Sequence, residues 1–344
     1  MPRVTIKDIA RCAGVSMTAV SFAFNDPGRL SKATQEKILQ VAEQLGYTPH
    51  PVARSLSMGR TGVIGVLVPQ DIVTMLENPF FAQILHGIGQ VCLEEEGSIL
   101  LAAPIRGSLQ AAVDRAMVDG FVVIGLGAQD PATELLQRRG TPFVLVDSEC
   151  LDGSPCVNVD DRAGAKAVMQ HILDYGHRHV AILGFESGEN GMWQRWRGAM
   201  RWRLEGYTEA LATAGLSPGC PEVCILECEN TLEGGEQAFQ RLWGQASHPT
   251  AVVAMSDIIA LGVLGAARKQ GVGVPGQLSI VGYDDIPEAK IAVPPLTTVY
   301  QPSVEKGEQA AELLVRLLHG ETVGTHLTLS TKLVVRASVA APAS

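Results

Sequence analysis

The stretch "DIARCAGVSMTAVSFAFN", residues 8–25, predicts two short helices joined by a tight turn. Ala10, Gly14 and Val20 have the spacing of such a pair, in which a glycine forms the turn without Cβ strain. We expect the first helix over about 6–13, with Thr5 as its N-cap, and the second over 17–25, capped by Ser16. Helix pairs of this kind usually bind DNA, although the spacing alone also fits an ordinary helical hairpin.

The region around this helix pair is small and basic. A third helix, about 31–45, supplies apolar side chains that complete a core. Residues 1–60 carry eight Lys or Arg and four Asp or Glu, a net charge of +4. The whole chain of 344 residues has a net charge of −9, which leaves −13 for the rest. We therefore expect only this head to face nucleic-acid phosphates.

The segment that follows, residues 48–60, joins the head to the first strand. Pro51 favours the start of a short helix, "VARSLSM", which is too short and too polar to be stable alone. We expect this hinge helix to fold against a partner copy and DNA. Leu56 would then act as an apolar wedge in the minor groove, and Arg54 would contact the DNA backbone.

From residue 63 onward, short apolar runs alternate with amphipathic segments. This alternation is typical of parallel sheets covered by helices on both faces. The runs are 63–69, 99–104, 120–126, 142–148, 179–185, 222–228, 250–256 and 278–285. Eight strands fit two α/β subdomains, divided near residues 160–163, better than one sheet. A further long strand is expected over 326–338, and a ligand site is expected at the carboxyl ends of the strands.

Several classes of protein are disfavoured by the sequence. It has no GxSxG, P-loop or HExxH motif, and "GLGAQ" (125–129) lacks the third glycine of a dinucleotide fingerprint, so we expect no enzyme, no cofactor and no metal. Neither a signal peptide nor an apolar run of membrane-spanning length is present, which predicts a cytoplasmic protein without membrane contact. Seven cysteines without a CxxC motif make a disulfide framework unexpected, and Cys220, Cys224 and Cys228 are interpreted as ordinary core or edge residues.

The sequence resembles the LacI/GalR family of bacterial transcription regulators over essentially its whole length. The motifs that carry the resemblance include "TIKDIARCAGVSMTAVSFAFN", "YTPHPVARSLSMGRTGVIGVLVP", "NPFFAQILHGI", "GHRHVAILGF", "SDIIALGVL", "LSIVGYDDIP" and "PPLTTVYQP". The resemblance implies a homodimer that binds a near-palindromic operator on double-stranded DNA. It also implies a small effector between two doubly wound subdomains of a periplasmic-binding-protein-like core.

The expected domain boundaries follow from this resemblance together with the strand pattern. The helix-turn-helix head occupies 1–47, and the hinge helix and linker occupy 48–60. The N-subdomain of the core takes 61–162 plus 295–324, and the C-subdomain takes 163–294 plus 325–344.

The resemblance assigns base readout to Met17, Thr18 and Phe22 of the second helix. Family members commonly carry Arg at the last of these positions, where it pairs with guanine, and Phe22 cannot do this. Either Met17 and Phe22 contact thymine methyls, or Phe22 has turned into the core of the head. Contacts to the DNA backbone are expected from the hydroxyl and amide side chains of Thr5, Ser16, Ser21, Asn25, Ser31 and Thr34.

The resemblance also places an effector pocket at the strand ends. The residues expected there are Phe80, Phe81, Asp147, Trp196, Arg197, Arg203, Asn230, Ser256 and Asp284. Carboxylates and an Arg around an aromatic floor favour a polyhydroxyl ligand such as a sugar, and additional Arg residues leave a carboxylated or phosphorylated effector open. Asn230 replaces an aromatic residue of many relatives, and Ser256 replaces a common Asn.

The leading hypothesis is therefore an effector-controlled transcription regulator, most simply a repressor. The alternative is a ligand-binding sensor whose DNA-binding head is vestigial or atypical, for which Phe22 is the only support. A solute-binding transport protein with this core would need a signal peptide.

Overall fold

The structure, a computed structural model, describes residues 4–47, 59–127, 129–185, 193–245, 247–324 and 326–343. The chain divides into two compact units. The first comprises residues 1–63 with 117–119, and the second comprises 64–116 with 120–344. None of the helices among the described residues is long and apolar enough to cross a membrane.

Three helices with the predicted bounds form the head. They are α1 (Ile6–Ala13), α2 (Met17–Asn25) and α3 (Lys32–Gln44). Gly14 ends α1 in the left-handed conformation, with φ of 65°, which only glycine adopts without strain. Ser16 Oγ accepts a hydrogen bond from the Ala19 amide (3.0 Å), and Ser31 caps α3 in the same way through the Thr34 amide. The helix-turn-helix geometry is thus specified by local capping.

The head has its own small hydrophobic core. Its buried side chains are Ile9, Ala10, Ala13, Val20, Ala23, Ile38 and Ala42. Half-buried residues close the rim, among them Phe24, whose ring lies 5.6 Å from that of Tyr47. Beyond the hinge region, Asp119 accepts hydrogen bonds from the amides of Thr61 (2.6 Å) and Gly62 (2.8 Å), which fixes the chain just before the first strand. The predicted hinge helix lies outside the described residues.

The second unit alternates strands and helices. Its strands are β1 (Val63–Leu67), β2 (Ser98–Ala102), β3 (Gly120–Ile124), β4 (Phe143–Val146), β5 (Cys156–Val159), β6 (Val180–Phe185), β7 (Val223–Cys228), β8 (Ala251–Ala254), β9 (Ser279–Val281), β10 (Thr298–Tyr300), β11 (His326–Leu329) and β12 (Lys332–Val334). Its helices are α4 (Ile72–Glu77), α5 (Pro79–Glu94), α6 (Leu109–Arg115), α7 (Pro131–Arg139), α8 (Asp161–Asp174), α9 (Gly198–Thr213), α10 (Leu232–Trp243), α11 (Asp257–Lys269), α12 (Pro287–Ile291) and α13 (Ser303–Leu318).

These strands form two larger sheets and one two-stranded sheet. The six-stranded sheet has the order β11-β5-β4-β3-β1-β2, and the four-stranded sheet has the order β7-β6-β8-β9. Every recorded pairing within the four-stranded sheet is parallel, as the continuous Val/Ile/Leu runs predict. Parallel strands of one sheet bring their carboxyl ends to one edge, where polar side chains can gather.

The prediction of one strand over 326–338 is wrong, because this segment forms two strands that belong to different sheets. β11 pairs in parallel with β5 in the six-stranded sheet, whereas β12 pairs antiparallel with β10. Residues 326–329, assigned from sequence to the C-subdomain, therefore belong to the sheet of the N-subdomain. Strand β5, which the apolar runs did not predict, provides the pairing edge for β11.

The structure also corrects the expectation about cysteines. Cys150 and Cys156 are joined by a disulfide across the turn between β4 and β5. The side chains of Cys150, Cys156 and His326 form a cluster. Among the described residues, their ligand atoms lie close enough together to share a metal ion. The two sulfurs are bonded to each other, so they form a disulfide rather than a pair of thiolate ligands. Cys220, Cys224 and Cys228 have free thiols and lie outside this group.

Candidate functional site

A cavity of about 390 Å³ opens at the carboxyl ends of strands from both larger sheets. This volume suits a small organic ligand. Eight of the nine predicted effector residues line it, namely Phe80, Phe81, Asp147, Trp196, Arg197, Arg203, Asn230 and Asp284. Residues separated by up to 204 positions in the chain thus meet around one space, because the strand ends converge.

Ser256 is the predicted residue that does not line the cavity. It is the N-cap of α11, and its buried Oγ accepts a hydrogen bond from the Ile259 amide. The same hydroxyl donates to Asn230 Oδ1 (2.6 Å). Ser256 therefore orients Asn230, which itself faces the cavity, and the prediction of direct effector contact is replaced by this supporting position.

Aromatic side chains form one wall. Phe80 and Phe81 begin α5, with ring centroids 5.4 Å apart in an edge-to-face arrangement. Trp196 is 3% exposed, and its indole Nε1 donates to Glu227 Oε1 (2.5 Å). Its ring lies on Gly184, where a Cβ would be 2.2 Å from the nearest ring carbon. Only glycine at 184 allows Trp196 to occupy this place.

A buried ion pair with Asp161 fixes the position of Arg203. Its Nε donates to Asp161 Oδ1 (2.7 Å), and its Nη1 donates to the carbonyl of Met255. The guanidinium carbon lies 3.7 Å from the centroid of the Tyr283 ring. Burial opposes the charge, but the Asp161 carboxylate outweighs it and raises the pKa of Arg203. Arg203 therefore stays charged, and its guanidinium is fixed in the lining of the cavity.

A buried lysine joins the two halves of the site. Lys306 of α13 is fully buried, and its Nζ lies 2.6 Å from Asp147 Oδ1. The same Nζ donates to Gln301 Oε1, and Gln301 Nε2 donates to Asp284 Oδ1 (2.5 Å). Asp147 and Asp284, at the ends of strands in different sheets, are thus connected by Lys306 and Gln301.

Sequence reasoning missed Lys306 and Gln301. A signal for Lys306 was present, since it shares the buried face of α13 with Ala310 and Leu314 at helical spacing. A lysine on such a face needs an anionic partner, which the sequence pattern does not identify.

The backbone at both carboxylates is unusual. Asp147 has φ of 53° and Asp284 has φ of 124°, conformations that non-glycine residues rarely adopt. Such residues cluster where a site fixes side-chain direction at a cost in backbone energy. Burial raises the pKa of Asp284 to about 7, although Arg203 and the hydrogen bond from Gln301 favour its ionised form. This carboxyl group therefore changes its charge near neutral pH.

The predicted base-reading residues of the head differ in exposure. Met17 is 56% exposed and Thr18 is also exposed, both at the start of α2. Phe22 is half-buried, with the Arg29 guanidinium 5.1 Å from its ring centroid, and it is not among the side chains that pack against the core of the head. Leu56 and Arg54 lie outside the described residues.

The hydroxyl side chains predicted to contact the DNA backbone fall largely at helix starts. Thr5, Ser16 and Ser31 precede α1, α2 and α3, where backbone amides and the helix dipole favour an anion. The hydroxyl oxygens of Ser31 and Thr34 are 2.8 Å apart and form a hydrogen bond. The side-chain amide of Asn25 donates to Ser21 Oγ (3.3 Å).

Two family models match this chain, one in each of the two units. Residues 5–50 match the bacterial regulatory proteins of the lacI family, and residues 169–339 match the periplasmic binding protein-like domain. The HTH-type transcriptional regulator Rv3575c of Mycobacterium tuberculosis is 34% identical over 330 residues, which cover 91% of each chain. The chain belongs to the LacI family of bacterial transcription regulators.

Solved structures of LacI-family proteins share the whole architecture. The lac repressor dimer bound to operator and the anti-inducer ONPF has a TM-score of 0.80 at 25% identity, covering 98% of this chain and 100% of that one. A complex of the transcriptional regulator CelR with cellobiose has a TM-score of 0.69 at 30% identity, with the same coverage. This LacI-family chain is therefore a DNA-binding transcription regulator with an effector-binding core.

Proposed function

We propose that the cavity binds a sugar or sugar derivative and that this effector controls affinity for the operator. The observation that carries the proposal is the combination of Phe80 and Trp196 with Asp147 and Asp284 around one cavity. Aromatic faces pack against the C–H groups of a sugar ring, and carboxylates accept hydrogen bonds from its hydroxyls. The complex of CelR with cellobiose supports this class of ligand.

Two arginines would complete recognition in different ways. Arg203 is held by Asp161 and offers a donor in a fixed position. Arg197 is exposed at the cavity, and no ion pair or hydrogen bond engages its guanidinium within the part of the chain that the structure describes. Arg195 also lines the cavity. These cations favour a sugar acid or sugar phosphate as a second candidate class.

The head would bind the operator through α2. Met17, Thr18 and Phe22 are accessible to base edges, and the position of Phe22 outside the head's core favours contact with a thymine methyl. The hydroxyls at the three helix starts would bind phosphates and set the register. The hinge segment, with Leu56 and Arg54, would contact DNA and transmit the state of the core.

The protein would act as a homodimer in the cytoplasm, by binding rather than by catalysis. Exposed apolar side chains support self-association. They include Val73 (65% exposed), Leu76 (63%) and Leu93 (82%) on α4 and α5, and Ile291 (79%) and Val293 (72%) at and after the end of α12. A dimer matches the two-fold symmetry of a near-palindromic operator.

The test is calorimetric titration of the full-length protein with cellobiose, ribose and their phosphorylated or carboxylated derivatives. We expect one of these probes to bind, and Arg197→Gln to weaken it by roughly tenfold or more, as for loss of a hydrogen bond to a charged group. Arg201→Gln is the matched control, because Arg201 lies one turn later, pairs with Glu205 and does not line the cavity. Equal affinity of both variants, or no binding by any probe, would contradict the proposal.

A further inference from the structure

The turn that follows β4 connects the cavity to a pair of cysteines. Asp147, Ser148 and Glu149 line the cavity, and Cys150 is the next residue. Cys150 is bonded to Cys156, the first residue of β5, with a Cα–Cα distance of 5.7 Å, which is usual for a disulfide. The bond therefore ties the far end of this cavity loop, residues 147–150, to the sheet.

Asn158, two residues after Cys156 on β5, also holds this loop. Its Oδ1 accepts a hydrogen bond from the Ser148 amide (3.1 Å), and its Nδ2 donates to the Ser148 carbonyl (2.9 Å). The Nδ2 also lies 3.5 Å from Cys150 Sγ. If the disulfide opens, these contacts of Asn158 and the ion pair of Asp147 with Lys306 remain, but the covalent anchor at Cys150 is lost.

The two sulfurs differ in a way that suits directed exchange. Cys150 is partly exposed, whereas Cys156 is 1% exposed. Cys150 is therefore the more accessible of the two residues to an incoming thiolate. The Nδ1 atom of His326, on the neighbouring strand β11, lies 3.6 Å from Cys156 Sγ, within hydrogen-bonding distance of a departing thiolate.

We propose that Cys150 and Cys156 form a site of reversible thiol–disulfide exchange with low-molecular-weight thiols. The oxidation state of this cysteine pair sets the order of the cavity loop. A thiolate attacks Cys150 Sγ, the Cys150–Cys156 bond breaks, and its electron pair leaves as the Cys156 thiolate, which takes up a proton. A second thiol then attacks the mixed disulfide at the bound small thiol. The products are a small-molecule disulfide and the Cys150 thiol, so the protein gains two electrons and two protons.

The first experiment follows the thiols of the full-length protein in oxidised and reduced glutathione. Alkylation followed by mass spectrometry should find Cys150 and Cys156 blocked under oxidation and both modified after reduction. His326→Gln should slow the reduction by roughly three- to tenfold, because the leaving thiolate loses the imidazole beside it. Two free thiols in oxidised glutathione would overturn the proposal, and an unchanged rate for His326→Gln would remove His326 from it.

The second experiment measures hydrogen–deuterium exchange of the loop and needs neither DNA nor effector. We expect the amides of residues 147–150 to exchange roughly tenfold faster in the reduced protein. Cys150→Ser should match the reduced protein in both glutathione buffers. Cys224→Ser, which removes a free thiol on β7, should keep the wild-type redox response. Equal exchange of the oxidised and reduced wild type would overturn the link to the loop, whatever the outcome of the effector titrations.

Discussion

The proposed role of Phe22 in base recognition can be separated from a role in the packing of the head. Because it lies outside the head's core, we expect Phe22→Ala to leave the free energy of unfolding nearly unchanged and to weaken operator binding by about 1–3 kcal/mol, with nonspecific binding unaffected. Phe24→Ala is the control, since Phe24 packs on that core and on Tyr47 and its loss should destabilise the head. Urea unfolding and DNA titration distinguish the two variants. A large loss of stability in Phe22→Ala would place this side chain in the core.

Arg203 has a structural role that sequence alone does not reveal. The sequence places Arg203 in the effector pocket, and the structure also pairs it with the buried Asp161. We expect Arg203→Ala to lower the free energy of unfolding by about 3–5 kcal/mol, because it leaves an uncompensated buried carboxylate. Arg201→Ala, which removes an exposed pair with Glu205, should change it by less than about 1 kcal/mol. Urea unfolding that finds similar values for both would refute the buried pair.

Asp284 should make stability depend on pH. Its pKa of about 7 in the folded protein lies above that of an unfolded aspartate, so between about pH 4 and pH 7 the folded state holds a proton that the unfolded state releases. The free energy of unfolding therefore falls as the pH rises through this window, by up to about 4 kcal/mol from this residue. Asp284→Asn should flatten the fall, and exposed Asp152→Asn should not. Identical slopes in urea titrations of both variants would contradict the assignment.

At the residue scale, the sequence identified the cavity's members better than their connections. The family resemblance, together with the apolar runs that end at Asp147 and Asp284, placed these residues in the pocket. The partner of Arg203 lies 42 positions away, and Lys306 lies 159 positions from Asp147. Such pairings arise only when the sheets bring distant helices together, and no local pattern encodes them.

Helix α13 owes its position to close packing on α5. A Cβ on Gly307 would be 2.1 Å from the carbonyl oxygen of Ile84, and one on Gly87 would be 1.9 Å from that of Val304. We expect Gly307→Ala to part the helices, destabilise the protein by about 1–3 kcal/mol and move Lys306 away from Asp147. Gly265→Ala, in a helix position with no atom within 4 Å, should instead be neutral or stabilising by up to about 1 kcal/mol. Equal effects in urea unfolding would argue against this contact.

At the element scale, the sequence predicted the eight strands that lie within continuous apolar runs and the three helices of the head. It missed β5, because four residues that include the polar Asn158 follow a turn and give no clear run. It also joined β11 and β12, since both have strand-forming composition and only tertiary pairing separates them. A strand that contains polar residues is recognised only through its partners, whereas a continuous apolar strand is marked by its own side chains.

The whole molecule combines two kinds of site in two compact units. The basic head carries exposed Met17 and Thr18, and the core carries a cavity at the strand ends. Because the chain belongs to the LacI family, the molecule is a regulator of transcription. What remains specific to this chain is the base sequence that an apolar recognition helix selects.

Selection of bound duplexes from a random DNA pool by the full-length protein tests this account most directly. We predict enrichment of a near-palindrome whose half-sites carry thymine, rather than guanine, at the position facing Phe22. Its genomic copies would then identify the regulated genes. Recovery of no enriched sequence by a protein shown to be folded and dimeric would contradict sequence-specific recognition by this head.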